Sequence, residues 1–400
     1  MVFFNRMFMR LSSNYFFYFA LLGLISPYLS VFLDGQGFSS RQVGEILAFI
    51  TATKIVAPSL WATLADKTAK PLLIIRCGAL LALLSFCLLY WFSLPEVNAY
   101  WFAQYSTSLY WPITLCLACF MLFWTAILPQ LEVHTLNSLK QSSKIYARVR
   151  LWGSLGFIVL AVIAGEVTTV VGSQAFPGLG VITLALLFSC TLLLSAKKTI
   201  RLTKTKATIA IIDKLTEWRF IRFFIAGLLL QVSFAPYYGF FALFLRDLNY
   251  SGLAIGLVIS LGVVAEVIAF IFMGVLFKRF SLTTLLVFSL AITALRWFLM
   301  PVVADSLLGL AIIQLAHAAS FAIYHSASMR FISSHFTVMQ QSRGQAIYLG
   351  GVYGIGGAIG AYITGLLWLE GQGADNAFII AGISALLATF IMAFNKRQWR

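Results

Sequence analysis

Charge is scarce in this sequence. Of its 400 residues only 10% are Asp, Glu, Lys or Arg, and just 13 are acidic. A soluble domain has about a quarter of its residues charged and about half apolar. Here 61% are apolar and the mean hydropathy is +0.93. No water-soluble fold could cover that much apolar side chain, which excludes ordinary cytoplasmic enzymes, disordered tails and disulfide-rich secreted scaffolds. Histidine occurs four times and cysteine five. Cys116 and Cys119 have the spacing of a redox or metal pair, but neither a second pair nor a nearby histidine completes a site. They read as small packing residues, and no metal or cofactor is expected. The first apolar run, 13–33, has span length and no cleavage site, so it is expected to stay as a span rather than leave as a signal peptide.

Long apolar runs are what the sequence does have. About 20 apolar residues, rising 1.5 Å each, cross a hydrocarbon core of ~30 Å. Twelve segments qualify: 13–33, 42–64, 71–93, 109–133, 150–171, 178–196, 221–245, 253–277, 281–303, 306–329, 345–368 and 375–394. They are too long and too evenly apolar for barrel strands, so an all-α membrane protein of twelve transmembrane helices is expected. With the N-terminus inside, 24 of the 28 Lys and Arg fall on the inner side and two, Arg41 and Arg246, on the outer. That asymmetry places both termini in the cytoplasm. It also accounts for the net charge of +15 by topology, without a nucleic-acid partner. The basic stretch 197–218 reads as a cytoplasmic linker between two six-helix bundles, 1–196 and 219–400, facing solvent or lipid headgroups.

An internal repeat supports the division. Shifted by 212 residues, Phe38-Ser39 and Val43-Gly44 fall on Tyr250-Ser251 and Ile255-Gly256, while Ala62, Leu64 and Lys67 fall on Gly274, Leu276 and Arg279. Duplicated halves around a midplane site are the architecture of many secondary transporters. The same shift puts Lys54 on Glu266, so equivalent helices carry opposite charges near mid-bilayer.

A charge there costs at least ~2.5–3.5 kcal/mol on insertion scales. It persists when it is paired, faces a wet cavity or works. The candidates are Lys54, Glu132, Arg150, Glu266, Arg296 and His317. One reading makes them buried ion pairs, Glu132 with Arg150 and Glu266 with Arg296. The other makes them a transport site, with an anionic solute on Lys54, which has no acid at similar depth nearby. His317, Ser320, Tyr324 and Ser328 recur on one helical stripe, which suits a cavity wall, whereas His325 lies off it and reads as structural. Trp152, Phe157, Tyr237, Tyr238, Tyr324 and Tyr353 are aromatic candidates for cavity walls or for plain packing. Gly350-x-x-x-Gly354 and Gly356-x-x-x-Gly360 allow close helix approach, and Pro27, Pro58, Pro129 and Pro236 interrupt spans.

Several of these strings resemble a known family. Ala62 to Asp66-Lys67, followed by Lys70, resembles the loop 2–3 motif of the major facilitator superfamily, in which Asp66 and Lys67 would serve gating and packing. Glu132 with Arg148-x-Arg150-x-x-Gly153 resembles the substrate-binding Glu/Arg pair of lactose permease, and Glu266, Arg296 and His317 resemble its substrate and proton-coupling residues. There are departures: Ser320 stands for the acid three residues after the histidine, Phe157 for the tryptophan that stacks on sugar, and Ala235, Tyr238 and Gly356 for charged residues. Arg148 to Ser154, Tyr237-Tyr238-Gly239-Phe240, Leu261 to Val267, and His317 followed by His325 are similar to the 3-phenylpropionic acid transporter family, a lactose-permease-like branch. The resemblance implies a proton symporter of an aromatic carboxylate in a bacterial inner membrane. In it Lys54, Glu132, Arg150, Phe157, Tyr238 and Tyr324 meet the substrate, and Glu266, Arg296 and His317 couple protons. The two halves would alternate access, one chain sufficing. An oligosaccharide or nucleoside symporter using Glu132 and Arg150 is the alternative. An intramembrane enzyme using His317, or a non-transporting receptor or assembly factor, is the reading from another class. Orientation is open to a direct test: a fluorescent protein that matures only in the cytoplasm should be bright when fused after Arg400, and alkaline phosphatase at the same position should be inactive.

Overall fold

The computed structural model describes residues 6–68, 70–105, 108–139, 142–195 and 211–394. Among them, twelve helices are long and apolar enough to cross a membrane. They are α1 (Arg6–Gly35), α2 (Ser40–Ala65), α3 (Pro71–Phe92), α4 (Tyr110–Ser138), α5 (Ile145–Val170), α6 (Ala175–Leu192), α7 (Trp218–Asp247), α8 (Gly252–Arg279), α9 (Leu282–Val303), α10 (Leu307–His335), α11 (Gln341–Gly371) and α12 (Ala374–Ala393). Each matches one expected segment. Short helices Pro95–Tyr105 and Ile212–Thr216 lie in connections. Most of the 197–218 linker is outside the described residues.

The chain packs as two compact units: 1–38, 56–202 and 251–257 form one, and 39–55, 203–250 and 258–400 form the other. This division differs from the sequence halves at two places. The first part of α2 packs within the second unit, and the start of α8 within the first.

In the second unit the reason is glycine on α11. A Cβ on Gly44 of α2 would lie 2.5 Å from the Cα of Gly365, Thr51 presses on Gly357, and Ile55 presses on Gly354. The two backbones thus run side by side along one glycine face of α11. Gly351, Gly356 and Gly360 form another face, against Phe224, Leu228 and Val232 of α7. This is the close packing that small-xxx-small spacing permits.

Two spans leave the α register. Residues Ala318–Ile323 of α10 and Leu349–Gly356 of α11 are π-helical turns. Such turns frequently occur at functional sites. The α10 turn begins at the residue after His317.

Helix ends inside a bilayer still need partners for their last carbonyls. In the second unit Arg222 of α7 supplies them for α12, donating to the carbonyls of Ile391 at 2.6 Å, Met392 at 3.4 Å and Phe394. In the first unit Arg76 of α3 donates to Leu194 at 2.9 Å, and Asn14 of α1 to Cys190 at 3.1 Å. Arg222, counted from sequence among the cations of the inner surface, is only 4% exposed. It is a buried cap, because its guanidinium is the multidentate donor within reach of that helix end. Replacing it in Arg222→Met keeps the bulk and removes the donors. Several carbonyls then lose their partner at roughly 1–3 kcal/mol for each buried group left unpaired, so the thermal midpoint in detergent should fall by several degrees. Arg222→Lys should recover part of it.

Candidate functional site

The second unit brings three expected residues into one chain of contacts. His317 Nε2 lies 2.6 Å from Glu266 Oε1, and His317 Nδ1 lies 2.8 Å from Arg296 Nη1. Arg296 Nη2 donates to Gln314 Oε1 at 2.7 Å, and Tyr237 donates to the same oxygen at 3.2 Å. The direct Glu266–Arg296 pair that the sequence allowed does not form: His317 stands between them. Arg296 is 1% exposed and lies over the rings of Tyr237 at 4.3 Å and Trp297 at 4.4 Å. An isolated guanidinium could not be held there. Two charge-strengthened hydrogen bonds and two aromatic faces offset the desolvation.

Hydrogen-bond chemistry fixes the proton on the imidazole. Arginine has donors only, so His317 Nδ1 must present a lone pair to it. The ring proton then sits on Nε2, which donates to Glu266. A second proton on His317 would face an N–H of Arg296. The Glu266 side chain keeps 15% of its surface accessible, against 4% for His317, so the acid is the more accessible of the two. Gly262, one turn before Glu266 on α8, leaves room for the ring: a Cβ there would meet His317 Cδ2 at 3.2 Å.

Around this cluster Tyr238 is half-buried, stacked on Phe234 with centroids 5.2 Å apart, its edge toward His317 at 6.4 Å. Lys54 is half-buried too and has no hydrogen bond or ion pair among the described residues. Tyr324 takes a different place from the one the stripe suggested. It is 2% exposed, accepting a hydrogen bond from Tyr348 at 3.4 Å, and Ser320 and Ser328 are fully buried. The stripe packs against protein rather than lining open space, because the wider π turn breaks the 3.6-residue register on which it was drawn. The same turn brings His325 into line. His317, Phe321 and His325 stack at 6.0 and 5.8 Å, nearly parallel, and His325 Nδ1 meets Tyr353 Oη at 3.4 Å.

In the first unit Glu132 and Arg150 do not form the ion pair either. Glu132 accepts from Tyr146 at 3.3 Å, and Arg150 lies over Phe19 at 3.9 Å and Tyr15 at 5.9 Å. Gly153, one turn along α5, makes the space for Phe19 and Arg150. Tyr18 stacks on Trp124 at 4.6 Å. Trp124 Nε1 is buried without a hydrogen-bond partner among the described residues, and the Tyr15 hydroxyl neighbours Thr135 and Tyr146. Phe157 is half-buried on the same face of α5 as Arg150, seven residues on. Cys116 is buried and Cys119 exposed, both free. Lys67 is exposed at the end of the helix that contains α2, while the side chain of Asp66 is outside the described residues. Gln314, Tyr146, Phe19 and Trp124 were not singled out by sequence. Gln314 had a visible signal, a lone amide one turn before a lone histidine on an apolar helix.

A family model described as "MFS_1 like family" matches residues 8–380. The chain belongs to that family. It is a multi-pass secondary transporter of the major facilitator superfamily, and that family's members are transporters rather than enzymes. It is 29% identical to a "Probable 3-phenylpropionic acid transporter" of Escherichia coli (strain K12), over 95% of this chain and 96% of that one. It is 26% identical to the "Uncharacterized transporter YwbF" of Bacillus subtilis (strain 168), over 74% and 70%. A "Maltose permease" of Geobacillus stearothermophilus is 30% identical over 38% of the chain and 35% of its own length. The crystal structure of the nucleoside transporter NupG, in a mutant form, superposes with a TM-score of 0.82 at 15% identity, over 96% of this chain and 98% of NupG. That likeness establishes the fold alone.

The Arg296 contacts predict a stability asymmetry for this transporter. Arg296→Met leaves His317 Nδ1 and Gln314 Oε1 without their donors and should lower stability by ~2–4 kcal/mol. Arg296→Lys keeps the charge, cannot reach both acceptors as a planar fork does, and should fall between the two in thermal unfolding.

Proposed function

We propose that this transporter is a symporter that moves a small aromatic carboxylate together with protons, by alternating access between the halves 1–196 and 219–400. The observation that carries this reading is Lys54, an ammonium within a membrane-spanning helix with no protein partner among the described residues. A permanent protein acid would neutralise it permanently. A substrate carboxylate neutralises it only while bound, which is what a carrier needs of an anion site. Half-buried aromatics such as Tyr238 offer faces for the substrate ring. The relative from Escherichia coli, a probable 3-phenylpropionic acid transporter, supports the same substrate class.

Glu266 is the proton carrier in this reading. Its partner His317 donates to the anion and still meets a carbonyl oxygen when the acid is protonated, so the cluster accepts a proton without losing its hydrogen bonds. What changes is the charge facing Arg296 through the ring. Asp66 and Lys67 would act at the gate. The chain would work as one copy in a bacterial inner membrane with both termini inside.

A second reading rests on the first unit. Among the described residues Glu132 has one long hydrogen bond and Arg150 no acidic partner, a pair that could grip the hydroxyls of an oligosaccharide or nucleoside beside Phe157. Neutral solutes do not need Lys54.

Purified protein in vesicles with an imposed inward pH gradient should accumulate labelled 3-phenylpropionate, and collapsing the gradient should abolish accumulation. Lys54→Ala should weaken binding by roughly 10- to 100-fold, the scale of one lost buried charge pair. Unchanged affinity in that variant, with sugar or nucleoside uptake, would transfer the case to Glu132 and Arg150. Glu266→Gln should exchange substrate down its gradient yet fail to concentrate it. Uphill uptake at the normal rate would remove Glu266 as carrier.

A further inference from the structure

We propose that Gln314 is a positioning residue of the proton site: by holding Arg296 it keeps His317 in the single tautomer whose N–H faces Glu266. The inference rests on the reading of Glu266 as the proton carrier and adds the device that would keep the neighbouring imidazole out of the titration.

The chain of constraint runs in one direction. Gln314 is fully buried, and its Oε1 is the acceptor for Arg296 Nη2 at 2.7 Å. Tyr237 donates to the same oxygen at 3.2 Å, which fixes which end of the amide faces the arginine. With Nη2 anchored, the planar guanidinium directs Nη1 onto His317 Nδ1 at 2.8 Å. The Arg296 donor occupies the Nδ1 lone pair, so the ring carries its proton on Nε2, 2.6 Å from Glu266. Gln314 and His317 are one turn apart on α10, immediately before the π turn at Ala318–Ile323. Arg296 Nε and Gln314 Nε2 are both buried without a partner among the described residues. The Nη2–Oε1 bond is the short polar tether on that side of the guanidinium, and the Tyr237 hydroxyl neighbours both of its partners. The faces of Tyr237 and Trp297 cover the guanidinium, and of its printed hydrogen bonds the one to Gln314, at 2.7 Å, is the shortest.

Ring-nitrogen spectra of the detergent-solubilised transporter test this without reference to uptake. The chain has four histidines, so selectively 15N-labelled imidazoles give few signals, assignable through His317→Gln. In the unaltered protein His317 should show a bare, hydrogen-bond-accepting Nδ1 and a protonated Nε2, unchanged between about pH 6 and pH 8, the window where an ordinary imidazole gains its second proton. Gln314→Leu fills the same space without the acceptor. There His317 should change tautomer or become doubly protonated within that window. Gln314→Glu restores an acceptor for Arg296 and should return the original pattern, which a packing role would not require. A His317 in the unaltered protein with its proton on Nδ1, or protonated on both nitrogens near pH 6, overturns the proposal. So does a Gln314→Leu protein with an unaltered His317 pattern. If that variant fails to fold, the unaltered protein and Gln314→Glu still decide. Vesicle uptake that ignores the pH gradient while the nitrogen pattern holds would reject proton symport and leave the role of Gln314 standing.

Discussion

Hydrocarbon offers no hydrogen bonds, and the polar architecture of this transporter follows from that deficit. Backbone groups meet it by forming helices throughout the described spans. Helix ends meet it with Arg222, Arg76 and Asn14, side chains that reach across from a neighbouring helix to the last carbonyls. Arg296 meets it with one amide, one imidazole and two ring faces. Against this background the groups that remain unmatched stand out. In the second unit Lys54, and in the first unit Arg150 and the Trp124 indole, have no hydrogen bond or ion pair among the described residues.

The spans were legible in the sequence because length and hydropathy alone define them. The expected 71–93 and 281–303 became Pro71–Phe92 and Leu282–Val303. Polar residues at helix ends were harder: α4 and α10 each continue well past the last expected residue, to Ser138 and His335, because side chains such as His134 and His335 are buried by neighbours rather than by lipid. The packing units were not legible, since the close packing of α2 on α11 depends on glycines about 300 residues away in sequence.

The site was legible in part. Glu266, Arg296 and His317 stood out as charges with no business in lipid, and they do meet. Their order of contact was not readable, because spacing along separate helices says nothing of which side chain lies between the others. The π turn was equally hidden. It costs the Tyr324 stripe its register and gives His325 an alignment that an α-helical wheel denies. The family follows from similarity along most of the chain, whereas the substrate depends on a handful of side chains that a distant likeness such as that to NupG leaves open.

The stack of His317, Phe321 and His325 has a further consequence. Proton transfer between two imidazoles needs them within hydrogen-bond reach or joined by groups that carry exchangeable protons. A phenyl ring has no exchangeable hydrogen and no lone pair to receive one. With Phe321 between them, the two imidazoles share no hydrogen-bonded link through the stack.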